Sequence, residues 1–210
     1  AEKGGILKAN IPAISVAQAP EAKRVLKKIA KEIQAPLMFT GDDIEFSYRV
    51  ESSRTAGCHT RICLTTPRSR FEHLPVPLLG EHQALNCGLA LALLDELKNQ
   101  GMKIDDNAAI QGLAKVYLPG RMEMIHHDPR VLVDGAHNAD SMRALMRAIG
   151  QHIPYDSMVM VFGCAGDKDI RGMMAEIATG ADKVIFTQAT NNPRAAKSKE
   201  LAELYEEYTG

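Results

Sequence analysis

Several of the usual signposts of function are missing from this sequence. Its 210 residues include no tryptophan and only 5% aromatics; the missing tryptophan decides nothing. No apolar run approaches the roughly 20 residues that a membrane-spanning helix needs, and the N-terminal residues do not read as a signal peptide. The formal net charge is -1, from 25 Lys and Arg against 26 Asp and Glu. No global field therefore draws the chain to nucleic acid or to an anionic membrane. The four cysteines, Cys58, Cys63, Cys87 and Cys164, form neither a Cys-x-x-Cys pair nor a metal-like cluster with histidine. They are expected to be reduced and structural, which makes a cytoplasmic protein the default. Finally, neither a Gly-x-x-x-x-Gly-Lys-Ser/Thr loop nor a Gly-x-Gly-x-x-Gly fingerprint occurs. The usual backbone cradle for a triphosphate is absent from these residues.

What is present is ordinary in bulk and informative in order. Hydrophobic residues make up 45% and charged residues 24%, as in a soluble globular protein of one large domain or two small ones. Strand and helix patterns alternate from residue 11 onward, which predicts an α/β architecture. Residues 11–16 and 35–40 read as short strands flanking a helix, with Ala22, Val25, Leu26, Ile29, Ala30 and Ile33 at helical spacing. Residues 44–78 change character, with period-two alternation that predicts an antiparallel section solvated on one face. Residues 81–98 then read as a long buried helix, and Asp105-Asp106 as the cap and dipole charges of another.

Leu118-Pro119-Gly120 is the expected domain boundary. Beyond it, strands at 131–134, 158–163 and 184–187 are each followed by a helical pattern, which predicts a parallel, Rossmann-like sheet. The chain stops at a helix, so the sheet is expected to continue further.

Chemistry is expected at the carboxyl ends of these strands, where helix N-termini offer unpaired N–H groups. The first exit reads Asp134-Gly135-Ala136-His137-Asn138. Asp134 could accept from a ribose hydroxyl and His137 could contact a phosphate or substrate; equally, Asp134 and Asn138 could only cap a helix. The second exit carries Asp167-Lys168-Asp169, where a capping Asp is the plainer account, and the third carries Asn192-Pro193-Arg194. Polar residues at all three exits exceed what one cap requires. Gln83 and Asn86, three apart at the start of the long helix, share a face; an amide suits an adenine edge, though a polar first turn is the plainer reading. Arg121 could clamp a phosphate or be a surface cation. His126-His127 would point to opposite faces of a strand, a poor joint metal site.

Taken in order, these pieces resemble folylpolyglutamate synthase / dihydrofolate synthase, a branch of the Mur ligase superfamily. Glu2-Lys3-Gly4-Gly5-Ile6-Leu7-Lys8 is similar to that family's Glu-Lys-Ala-Gly-Ile-x-Lys, with Gly4 in place of alanine. Gly80-Glu81-His82-Gln83-x-x-Asn86 resembles its Gly-x-His-Gln-x-x-Asn. Pro119-Gly120-Arg121 and Asp134-Gly135-Ala136-His137-Asn138 match outright. Gly163, Asp167-Lys168-Asp169 and Pro193-Arg194-Ala195 also stand where similar residues do.

The resemblance implies a fold. Residues 1–118 would be the remainder of a central ATPase-type domain, a mixed sheet with helices. Residues 119–210 would be a Rossmann-like C-terminal domain, truncated in its last strands, with a hinge near 118–120. It also implies an activity: ATP phosphorylates a carboxylate of dihydropteroate or a folate, and the amine of L-glutamate attacks the acyl phosphate. Asn86 would lie near the base, Arg121 at phosphate and Asp134 at the ribose. Lys3, Arg121 and His137 would be the catalytic residues, with Lys3 carboxylated to a carbamate that helps hold Mg²⁺. A carbamate turns a cation into an anionic oxygen donor for a hard metal.

The departures lie at the ends. The family's N-terminal half carries the phosphate loop, the first Mg²⁺ ligands and much of the pterin site. The chain is thus expected to be either a fragment needing that half or a reduced homologue without catalysis. Two other readings stay open: a Mur-type peptide ligase of cell-wall precursors, and a non-catalytic nucleotide-binding domain. The His82-Gln83 pair favours the folate branch over the cell-wall branch.

Overall fold

In the computed structural model, which describes residues 2–53 and 57–209, the chain divides into two compact units, Ala1–Tyr117 and Leu118–Gly210. Every named sheet lies within one unit. Among the described residues, no helix is long and apolar enough to cross a membrane.

The first unit begins with a 3₁₀ turn, Glu2–Ile6, followed by a β-α-β crossover: β1 (Ala13–Ser15), α1 (Pro20–Glu32) and β2 (Leu37–Phe39). Pro20 opens α1 in the first turn, where its missing N–H leaves no bond unmade. The two strands pair in parallel, Ile14 opposite Met38. Phe39 is fully buried, and the ammonium groups of Lys23 and Lys27 lie 5.2 and 5.7 Å from its ring centroid. After Thr40, a turn at Gly41 (φ 89°) leads into the antiparallel section.

That section is β3 (Glu45–Ser53), β4 (Gly57–Thr65) and β5 (Arg70–Val76), in that order across the sheet. β5 runs through Pro75, inside the antiparallel section expected over residues 44–78. β5 is the edge strand, so the missing proline donor costs no ladder bond. Alternate residues Thr60, Ile62 and Leu64 are at most 1% exposed and face the core. Onto that face packs α2 (Glu81–Asn99), with α3 (Asp106–Ala114) beside it. Asp105 caps α3 by accepting from the Ala108 N–H at 3.0 Å. The expectation that α2 is a buried helix holds only along one stripe, through Ala84, Cys87, Gly88, Leu91, Ala92 and Asp95. Leu93 and Leu97 remain 42% and 36% exposed, because the sheet and α3 meet only one flank of the helix.

In the second unit, β6 (Glu123–His127) and β7 (Arg130–Val133) form an antiparallel hairpin. β8 (Val159–Phe162) and β9 (Lys183–Phe186) pair in parallel. The sequence suggested three parallel strands, but the hydrogen-bonded partner of β7 is β6. A two-residue connection closes that pairing locally before a crossover can compete. Helices α4 (Ala139–His152), α5 (Ile170–Ile177) and α6 (Ser198–Thr209) follow β7, β8 and β9 in turn. They pack in series, α4 on α5 and α5 on α6, and bury Met142, Leu145, Met173, Met174, Ile177 and Leu201. Phe186 bridges Phe162 and Tyr205, with ring centroids 6.5 and 5.6 Å away. This stack ties α6 to the strands.

Candidate active site

The exit of β7 is locked to the turn that follows Leu118. Gly120 is in the left-handed region (φ 64°), and so is Met122 (φ 47°), a conformation that an unbranched side chain adopts only when its surroundings hold it. The N–H of Met122 donates to Asp134 Oδ2 at 2.9 Å, and the N–H of Ala136 donates to Asp134 Oδ1 at 2.8 Å. Gly135 N–H donates to the Gly120 carbonyl at 2.9 Å, and Gly120 N–H to Glu123 Oε2 at 2.7 Å. Asp134 is thus a clamp between two backbone segments, and each of its oxygens keeps a further lone pair. It does not cap α4. Asn138 does, accepting from Ser141 N–H at 2.8 Å in a capping box with the Ser141 hydroxyl.

Arg121 stands on this platform with an exposed side chain. Its guanidinium fills the space over Gly135, where an added Cβ would lie 2.5 Å from Nη1. His137 is exposed next to it in sequence terms, two residues beyond that glycine, and its Nδ1 lies 2.9 Å from the Gly135 carbonyl oxygen. A carbonyl only accepts, so Nδ1 carries the proton and Nε2 presents the lone pair. The structure therefore gathers Arg121, Asp134 and His137 around one pair of glycines, and it adds Met122, which no motif marks. The alternation of the sequence held no sign of Met122, because its role lies in its backbone.

The other two exits zip together. Gly166 N–H donates to the Arg194 carbonyl at 2.8 Å and Ala196 N–H to the Cys164 carbonyl at 2.9 Å. A Cβ on Gly163 would lie 2.7 Å from the Thr187 carbonyl oxygen, so this close approach requires glycine. Above them opens a cleft of about 490 Å³ lined by Gly163, Cys164, Thr187, Gln188 and Asn192 among others. Arg194 reaches across to Asp167 at 2.5 Å and holds that carboxyl below its ordinary range, mainly through the hydrogen bond. Asp169 takes the plainer role, capping α5 by accepting from Gly172 N–H at 3.0 Å.

Asn86 and Lys3 belong to the first unit. Asn86 is exposed on the first turns of α2, and its Nδ2 donates to Oε1 of Gln83 at 3.3 Å, while Gln83 is 3% exposed. The buried amide thereby orients the exposed one. At the same helix end, the Tyr48 hydroxyl donates to Glu81, and burial together with that carboxylate pushes the phenol up to about 12. Lys3 is exposed in the 3₁₀ turn. The neighbouring Gly4 is packed under α1: a Cβ there would meet Ile29 Cδ1 at 2.4 Å. An alanine here would have to push the Ile29 side chain aside.

Comparison with known proteins adds the following. Residues 120–210 match the family described as Mur ligase, glutamate ligase domain. The chain is 30% identical over 202 residues to the dihydrofolate synthase/folylpolyglutamate synthase of Bacillus subtilis, covering 95% of this chain and 46% of that protein. It is 30% identical over 187 residues to the enzyme of the same name from Mycobacterium tuberculosis, covering 88% of this chain and 37% of that one. The solved structure of Mycobacterium tuberculosis folylpolyglutamate synthase complexed with ADP superposes with a TM-score of 0.87 at 29% identity, over 100% of this chain and 46% of that one. The chain thus spans about half the length of the relatives it matches.

Proposed function

We propose, from a chain whose residues 120–210 match the Mur ligase glutamate ligase domain and whose whole length is similar to folylpolyglutamate synthases, that the protein is an ATP-dependent ligase. It joins L-glutamate to dihydropteroate or to a folate through an acyl phosphate. On this reading residues 1–118 are the remainder of the central ATPase-type domain and residues 119–210 the C-terminal domain. The phosphate loop and the pterin site come from an N-terminal half, and the protein works in the cytoplasm. The observation that carries the reading is the guanidinium of Arg121 lying over Gly135, on a backbone turn that Asp134 holds in place. A fork-shaped cation held in this way, with its head open to solvent, suits phosphate oxygens.

ATP supplies the phosphoryl group that makes a carboxylate attackable. Arg121 stabilises negative charge at phosphate. Asp134 uses its remaining lone pairs for a ribose hydroxyl while its bonded ones hold the turn. Asn86 meets the base with an amide oriented by Gln83. His137, with its lone pair on Nε2, takes a proton or a hydrogen bond at the reacting end. Lys3, once carboxylated, would offer anionic oxygen donors to Mg²⁺. Among the described residues, no group of three or more His, Cys, Asp or Glu side chains could hold a metal ion, and an unmodified lysine is itself a cation.

The test is ligation by the protein encoded by the complete open reading frame. Labelled glutamate should enter dihydropteroate or tetrahydrofolate only with ATP, and it should not enter cell-wall peptide precursors. Incorporation into the precursors instead would move the protein to the other branch of Mur ligases, and nucleotide binding without any ligation would make it a binding domain. The 210-residue chain by itself, which lacks the glycine-rich lysine loop, should turn over neither substrate.

A further inference from the structure

The outer face of the antiparallel sheet holds a cysteine–histidine pair that the ligase reading does not use. On β4 and β5, Ile62 faces Leu74 but Leu64 faces Phe71, so Glu72 and His73 both stand opposite Cys63. This bulge puts His73 at φ 52°. As a result, its N–H donates to Cys63 Sγ at 3.3 Å, and its ring Nδ1 lies 3.8 Å from the same sulfur. The bulge is held from both sides. Ile62 and Leu64, on either side of Cys63, are fully buried, and Arg61 Nη1 donates to the His73 carbonyl at 3.0 Å. Cys63 is half-buried and His73 exposed, so a small reagent can reach the sulfur from the imidazole side.

We propose that Cys63 is a thiol-modification site, with His73 as its base, that forms mixed disulfides with low-molecular-weight disulfides. With the imidazole proton on Nε2, Nδ1 takes the thiol proton as Cys63 Sγ attacks one sulfur of the reagent. A new S–S bond forms, the reagent's S–S bond breaks, and its second sulfur leaves as a thiolate with the bonding pair. Cys63 is oxidised, the leaving sulfur is reduced, and the proton passes from His73 to solvent. The His73 N–H bond to Sγ steadies the sulfur while its charge builds. Cys87 and Cys164 have weaker claims. Burial pushes Cys87 up to about 11 at 5% exposure, and it raises Cys164 as well.

The experiment treats the folded protein at neutral pH with less than one equivalent of an aromatic nitrobenzoate disulfide, followed by peptide mapping. The first label should sit on Cys63, and Cys63→Ser should remove the fast phase of thiolate release. His73→Asn keeps a residue that tolerates positive φ and keeps the backbone N–H, yet it removes the base; it should slow labelling of Cys63 by about tenfold or more. First labelling at Cys58 or Cys164 in the unmutated protein would overturn the proposal without any variant. So would an unchanged rate at Cys63 in folded His73→Asn.

Discussion

The side chain of Arg121 occupies the room left by the missing side chain of Gly135. A Cβ at that glycine would sit 2.5 Å from Nη1 and 3.5 Å from the Gly120 carbonyl oxygen. The close neighbour is the far end of a flexible side chain, so the fold can yield while the guanidinium cannot keep its place. Gly135→Ala is therefore expected to displace Arg121 and behave like Arg121→Ala. In the full-length protein, as the proposed ligase, both should lower kcat by roughly 10²–10³, with a smaller change in nucleotide affinity. Thermal unfolding of Gly135→Ala should shift by no more than the equivalent of about 1 kcal/mol. Steady-state kinetics alongside a melting curve separate the two effects, and a full kcat in Arg121→Ala would remove the phosphate role.

Asp134 should show two losses that can be measured apart. Asp134→Ala leaves the N–H groups of Met122 and Ala136 without their acceptor, which costs about 1–3 kcal/mol for a half-buried site. It should also raise the KM for ATP, since a ribose contact is equal in ground and transition states. Denaturant titration reads the first loss. If KM for ATP is untouched while stability falls, Asp134 is a clamp and nothing more.

Lys3→Ala in the full-length enzyme is expected to depress activity in a way that added short carboxylic acids partly restore. Free carboxylates can supply the oxygen donors of the lost carbamate. An unchanged rate, or a loss that no carboxylate relieves, would argue against carboxylation of Lys3.

Alkaline pH should weaken the first unit through Tyr48. Burial and the Glu81 carboxylate raise its phenol from the ordinary 10.0 to about 12, so the folded state favours the neutral form. That contribution is fully present below about pH 10 and is lost as pH rises through about 12. Urea midpoints at pH 9 and pH 11.5 should fall further apart in the native chain than in Tyr48→Phe. Cys87, raised from 9.0 to about 11 by burial, should account for part of the residual slope, which Cys87→Ala would remove.

Gly88 lies under the Phe46 ring. A Cβ there would come within 2.2 Å of Cε2 and 2.7 Å of Cδ2 and Cζ. Helix propensity favours alanine by about 1 kcal/mol, whereas overpacking a core costs about 1–3 kcal/mol. Gly88→Ala should therefore destabilise, and pairing it with Phe46→Leu should recover part of the loss. A simple sum of the two single effects would mean that the ring moves aside freely.

Much of the fold was legible because periodicity records burial. The 3.6-residue spacing of Met142, Leu145 and Ile149, and of Met173, Met174 and Ile177, marks the buried stripes of α4 and α5. The two-residue alternation of β4 marks its core face. Less legible was the pairing of β7 with β6 rather than with a parallel neighbour. It depends on which strand lies beside which, and one-dimensional pattern carries no neighbour list.

The site divides along the same line. The sequence by itself determined which residue types stand at the strand exits, where the helices begin, and that the glycine-rich lysine loop is absent, because each of these is local chemistry. Asp134, Asn138, Asp167 and Asp169 all read alike as acids or amides before a helix. Asn138 and Asp169 became caps through N–H groups three residues on, but only tertiary structure made Asp167 the partner of Arg194 and Asp134 the clamp on Met122. The reason is that a carboxylate accepts from whichever N–H groups the fold brings within 3 Å. For Asp134 one of those donors, Met122, lies twelve residues back along the chain.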